Sequence, residues 1–240
     1  MCSYCCSTTD ETGTQLCDHL KINEIRLDCG EPRIQNVITA MKGRHSQNPI
    51  DKNFGLSTLL ECTVLPTYSR DEQPEQAWGH LLDVSQRILA ELLFTCPLPG
   101  KNGCYWRSLW RQLMEDTVVF ENVQNLNLSG GRVEDGHLWC GHIGLIKGCQ
   151  VTFNCHPSMR TVVLRAEKKG KEYQWMMNKP HTQAIALGEY TLVGYVFMSH
   201  WVLCKSHPSG ELEKVSVLHG TSLQTSDARC LCNYTSVEFF

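Results

Sequence analysis

The chain has 240 residues, 42% apolar and 20% charged, with 22 basic against 25 acidic side chains and a net charge of −3. That length suits one large domain or two small ones, and it buries a core without staples. The composition excludes collagen, low-complexity disorder and a highly charged tail; balanced charge argues against a duplex-binding face, and no apolar run is long enough to span a bilayer as a helix.

Residues 1–70 read as an irregular, cysteine-containing N-terminal region, with short apolar runs at Ile22–Leu27 and Ile34–Met41. The polar stretch Gly43–Asn53 reads as a loop, and Leu56–Leu65 as a short strand. Residues 71–240 read as an α+β domain. Its clearest helix opens at Pro74, where proline is tolerated, with Asp71, Glu72 and Glu75 at the positive end of the dipole. Trp78, Leu81, Leu82, Ile88, Leu89, Leu92 and Leu93 recur at steps of three and four, so the helix is expected to run to Phe94, before Pro97 and Pro99. A second amphipathic segment is expected from Tyr105 to Met114, with Trp106, Leu109, Trp110 and Leu113 on one face.

From Thr117 the pattern turns to strands. Val118–Phe120, Leu138–Ile146, Gln150–Phe153, Thr161–Arg165, Tyr173–Met177, Tyr190–Cys204 and Leu212–Leu218 are short and often β-branched or aromatic. Gly130-Gly131, Asp135-Gly136, Lys169-Gly170 and Ser209-Gly210 punctuate them as turns. The expected architecture is two or more helices followed by a mostly antiparallel, meandering sheet.

Cysteine is the unusual number: 14, with 10 histidines. The first twenty residues are polar and do not read as a secretory signal, so the expected compartment is reducing and the thiols are free or bind metal. On the same ground the sequons at Asn127 and Asn233 read as chance matches. Zinc prefers sulfur and imidazole donors brought together as a tetrahedron. An N-terminal cluster, Cys2, Cys5, Cys6, Cys17 and His19, carries close pairs, with a flexible tail of accessible thiols as the other reading. A second cluster is Cys140, His142, Cys149 and Cys155-His156; strand alternation can put Cys140 and His142 on one face. A third joins Cys204 and His207 to Cys230 and Cys232, with His219 nearby. The competing reading of these groups is buried cysteine acting as a small hydrophobe.

Phosphate-binding, hydrolase-elbow and metalloprotease motifs are missing. Trp106 and Trp110 with Arg107 and Arg111 have the composition of an interface, or of a helix docked on its own sheet. The basic stretch Arg160–Lys171, interrupted by Glu167, reads as a solvated hairpin tip.

The C-terminal half carries a further pattern. Trp139-Cys140-Gly141-His142 and Gly148-Cys149 are followed by Val196-Phe197-Met198, His200, Lys205, Gly210, Leu212, Val215, Val217, then Leu218-His219-Gly220, Cys230 and Cys232. This order resembles the adenovirus early-region-four thirty-four-kilodalton protein family over Trp139–Tyr234. Asn102-Gly103-Cys104-Tyr105, Asp116, Val118, Phe120 and Asp135-Gly136 are similar to part of the adenovirus early-region-one-B large protein. The resemblance implies a viral early adaptor in the host nucleus and cytoplasm. It would recruit a host cullin–elongin ubiquitin ligase, act with a viral partner protein, degrade antiviral factors and aid late viral RNA export. Ser222-Leu223-Gln224 begins like an elongin-binding box, with Asp227 where a small apolar residue is wanted. Direct duplex nucleic-acid binding and membrane binding are not expected. The alternatives are a thiol-dependent enzyme using a Cys/His pair and a β-rich binding module without metal.

Overall fold

The structure, a computed structural model, describes residues 33–48, 50–60, 62, 69, 71–101, 104–116, 118, 120, 131–153, 161–180, 185–195, 199–220 and 231–240. Among them are five helices, followed by eight strands. The fold is α+β, helices first.

Helix α1, Ile34–Lys42, buries Ile34, Val37, Ile38 and Met41, the i, i+3, i+4, i+7 set of one face. Helix α2, Ile50–Leu59, buries Ile50, Asn53 and Leu56. Both lie in the region read as irregular, and α2 replaces the expected loop end and the first part of the expected strand. Its apolar stripe is too sparse to be seen in sequence; tertiary packing stabilises it. Asn53 shows this, its Nδ2 donating to Pro74 O at 3.2 Å.

The long helix expected from Pro74 to Phe94 is two helices. Helix α3, Pro74–Val84, buries Ala77, Trp78, Leu81 and Leu82; helix α4 is Gln86–Thr95. Ser85 between them is extended, with φ −129° and ψ 93°, and its hydroxyl accepts from Ile88 N at 3.4 Å. Serine at such a position competes with the helix by capping the next one. The second amphipathic segment shrinks to helix α5, Trp110–Glu115. The residues before it stay irregular because their polar groups are used elsewhere. Trp106 Nε1 donates to Gly136 O at 2.8 Å, and Ser108 O accepts from Trp78 Nε1 at 3.2 Å. Gly100 permits this path, since a β-carbon there would strike the carbonyl oxygens of Cys104 and Arg107. Val118 and Phe120, expected in a strand, lie outside any element.

Strands β1 (Arg132–Glu134), β2 (His137–Thr152), β3 (Thr161–Lys168), β4 (Lys171–Asn178), β5 (Gly188–Gly194), β6 (His200–Ser206), β7 (Leu212–His219) and β8 (Asn233–Phe239) form one sheet. Its order is β1-β2-β3-β4-β7-β6-β5, and β5 pairs back onto β2, so the sheet closes on itself. Strand β2 is 16 residues long, merging two expected strands. It serves β8 along its first half, β3 near its end, and β5 on the other side. Register shifts between Cys140 and Ile143 and between Ile146 and Cys149 bend it; His142 at φ 50° and Gly148 at φ 71° mark the two irregularities. The expected strand Tyr190–Cys204 is β5 and β6, an antiparallel pair.

Two apolar cores result. One lies within the closed sheet and draws on every strand of the ring, including Cys149, Val162, Met177, Leu192, Trp201 and Leu218. The other packs the helices against the sheet and includes Trp78, Leu93, Phe94, Trp106, Cys140, Val202 and Cys204. Neighbouring residues divide between them by strand alternation: Trp201 and Leu203 face one core, Val202 and Cys204 the other.

Candidate functional site

Six of the eight residues expected to bind zinc are described, and these six do not gather as the sequence grouped them. Cys140 is buried in the helix-facing core, whereas His142 is exposed and its ring stacks on Tyr234 with centroids 5.3 Å apart. The expected shared face fails because the irregularity at His142 inserts a positive φ and shifts the alternation. Cys149 and Cys232 belong to the core inside the sheet, and Cys204 to the helix-facing core beside Cys140. His207 is exposed, its Nδ1 2.8 Å from Ser209 Oγ. Cys155, Cys230 and the N-terminal cluster lie outside the described residues.

The four described cysteines of that set are buried, and burial disfavours their thiolates. Burial pushes Cys140 and Cys149 up to about 12 and Cys232 up to about 11. Cys204 is pushed higher still by burial, with Lys214 opposing and Cys140 adding to the effect. A nucleophilic cysteine needs the opposite environment.

Lys214 is wholly buried, and its Nζ donates to Leu92 O at 2.7 Å. Leu92 lies in the last turn of α4, where carbonyls lack helical partners. A cation there also meets the negative end of the dipole. Burial lowers this amine to about 8, with Cys96 and Cys204 working against the fall. The lysine joins strand to helix and has a structural role.

The convergent polar group lies elsewhere. His137 opens β2 just after the Asp135-Gly136 turn, Glu211 precedes β7 just after the Ser209-Gly210 turn, and Glu238 is near the end of β8. Among the described residues, these are the one set of three potential ligand side chains with their ligand atoms all within 4.8 Å of one another. His137 Nδ1 is 2.8 Å from Glu238 Oε1 and 3.8 Å from Glu211 Oε1. Although buried, Nδ1 makes no aligned hydrogen bond with either. Ser209 Oγ donates to Glu211 Oε2 at 2.6 Å, fixing that carboxylate, and His207 Nδ1 stands 4.0 Å from the same oxygen. The three side chains are 25–32% exposed, so solvent reaches the group. Sequence spacing could not find this set. The only local signal was that His137 and Glu211 each follow a turn.

A separate open hollow of about 300 Å³ has Trp106, Arg107, His80, Asp83 and Asp135 in its wall. Among the described residues, Arg107 Nη1 has no hydrogen-bond partner. The two aspartates offset its charge, so the hollow has no clear preference for an anion.

Comparison with family models, curated proteins and solved structures finds no match to this chain.

Proposed function

We propose that the protein is a non-catalytic regulatory adaptor of the viral early class, working through protein contacts in the host nucleus and cytoplasm. In this reading it brings a host cullin–elongin ubiquitin ligase to antiviral proteins, together with a viral partner protein, and aids late viral RNA export. The observation that supports it is the position of the middle part of the C-terminal motif; the first part, Trp139-Cys140-Gly141-His142 with Gly148 and Cys149, lies apart on β2. Lys205, Gly210, Leu212, Val215, Val217, Leu218 and His219 all fall on β6, β7 or the turn between them, a single antiparallel hairpin. Lys205 and Gly210 are exposed on this hairpin, whereas Leu212, Val217 and Leu218 are buried in the cores behind it. Val196–Met198 and the Ser222-Leu223-Gln224 stretch lie outside the described residues.

The test is affinity purification of the tagged full chain from host cells. Cullin and elongin subunits are expected to co-purify well above a tag-only control. Recovery equal to the control overturns the adaptor reading.

A further inference from the structure

We propose that His137, Glu211 and Glu238 hold one divalent cation of the zinc class, and that this ion clasps β8 between β2 and β7. The inference is independent of the adaptor reading and differs from the cysteine sites expected from sequence.

The donor set is one imidazole and two carboxylates, a combination that suits zinc and, with its oxygen donors, manganese. Zinc held by nitrogen and oxygen at roughly 2.0–2.2 Å brings its ligands to about 3.4 Å from one another. The three ligand atoms already lie within 4.8 Å, and small side-chain rotations that open the 2.8 Å His137–Glu238 contact and draw Glu211 in would reach that spacing. The Nδ1 of His137 faces both carboxylates, at 2.8 Å from Glu238 Oε1 and 3.8 Å from Glu211 Oε1, so an ion bound between them would replace this ion pair. Ser209 holds Glu211 from behind, as outer groups hold metal ligands in place. Partial exposure leaves room for a water to complete the coordination.

The location gives the ion a purpose. Strand β8 is antiparallel to β2, but its parallel pairing to β7 is confined to Leu212 opposite Phe239 among the described residues. Glu238 neighbours that point on β8, Glu211 immediately precedes it, just before β7, and His137 is next to Leu138, which pairs with Phe239. One cation would therefore tie three strand ends where β7 and β8 share a single backbone register pair among the described residues.

The experiment uses the full chain stripped with a chelator and titrated with zinc alone, manganese alone and cobalt alone. Calorimetry should give one zinc per chain. At a hundredfold excess over the dissociation constant the melting temperature should rise by about 5–10 °C. E211Q and E238Q should each weaken binding at least tenfold, whereas H142Q should leave it unchanged. Circular dichroism of both glutamine variants without metal should match the parent; if one fails to fold, the other carries the comparison. Bound cobalt should lack the sulfur-to-cobalt charge-transfer band. The proposal is overturned if zinc does not bind up to about 1 mM, which would leave an ion pair only. It is equally overturned if binding survives both glutamine variants or if cobalt shows the thiolate band. Each of these outcomes leaves the purification result untouched.

Discussion

His200 opens β6 with its ring buried and its centroid 4.5 Å from that of His219, the residue opposite it on β7. Burial, with His219 adding to it, lowers its pKa to about 4. The unfolded chain takes up this proton near pH 6.5. The folded state stays neutral over that interval, so stability is complete above about pH 6.5 and falls as the pH drops towards about 4. The expected loss is up to about 3 kcal/mol. Urea melts at about pH 7 and about pH 5 should show it, and H200Q should flatten the difference. A parent protein equally stable at both values would refute the assignment.

Two of the helices are capped from a distance. Ile34 N at the start of α1 donates to Glu91 Oε2 of α4 at 2.8 Å, and Trp110 N at the start of α5 donates to Glu75 Oε2 of α3 at 2.8 Å. Carboxylates suit both the free N–H groups and the positive end of the dipole. For Glu75, burial raises the pKa while Arg107 and the Trp110 and Arg111 amides oppose the rise. Ser85 caps α4 locally and more weakly, at 3.4 Å. Glu91→Ala should therefore cost about 2 kcal/mol and Ser85→Ala about 1 kcal/mol, as chemical denaturation would measure. The reverse order would show that the tertiary cap matters less than the local one.

Across the whole molecule, the buried thiols set an alkaline limit. Unfolded cysteine ionises near pH 8.5. In the fold, Cys140 and Cys149 stand at about 12, Cys232 at about 11, and Cys204 above these. Their contribution is whole below about pH 8.5 and is lost as pH rises through the folded values. Lys214, lowered to about 8, acts in the other direction between that value and its unfolded one. Cys232 lies nearer solvent than the others and counts for less. The net expectation is a progressive loss of stability as the pH rises above about 9, because more thiols than amines are involved. Denaturant midpoints across that range check it. At neutral pH these four thiols should react with a disulfide reagent only after denaturant is added; fast reaction of the native protein would contradict the burial.

Much of the local structure was legible in the residues. The stripe from Trp78 to Leu93, the β-branched runs and the turn glycines implied helices followed by an antiparallel sheet, because period and turn chemistry are local properties. The break at Ser85, which divides that stripe into two helices, was not legible in the periodicity, which runs on through it. Closure of the sheet was not legible either: alternation shows which face a strand buries, but not that β2 would serve β3, β5 and β8 together. The same limit hid the two irregularities in β2, which separate Cys140 from His142, and the meeting of His137 with Glu211 and Glu238. Those side chains are neighbours only because strands distant along the chain share a register, and register is decided by packing of the complete core.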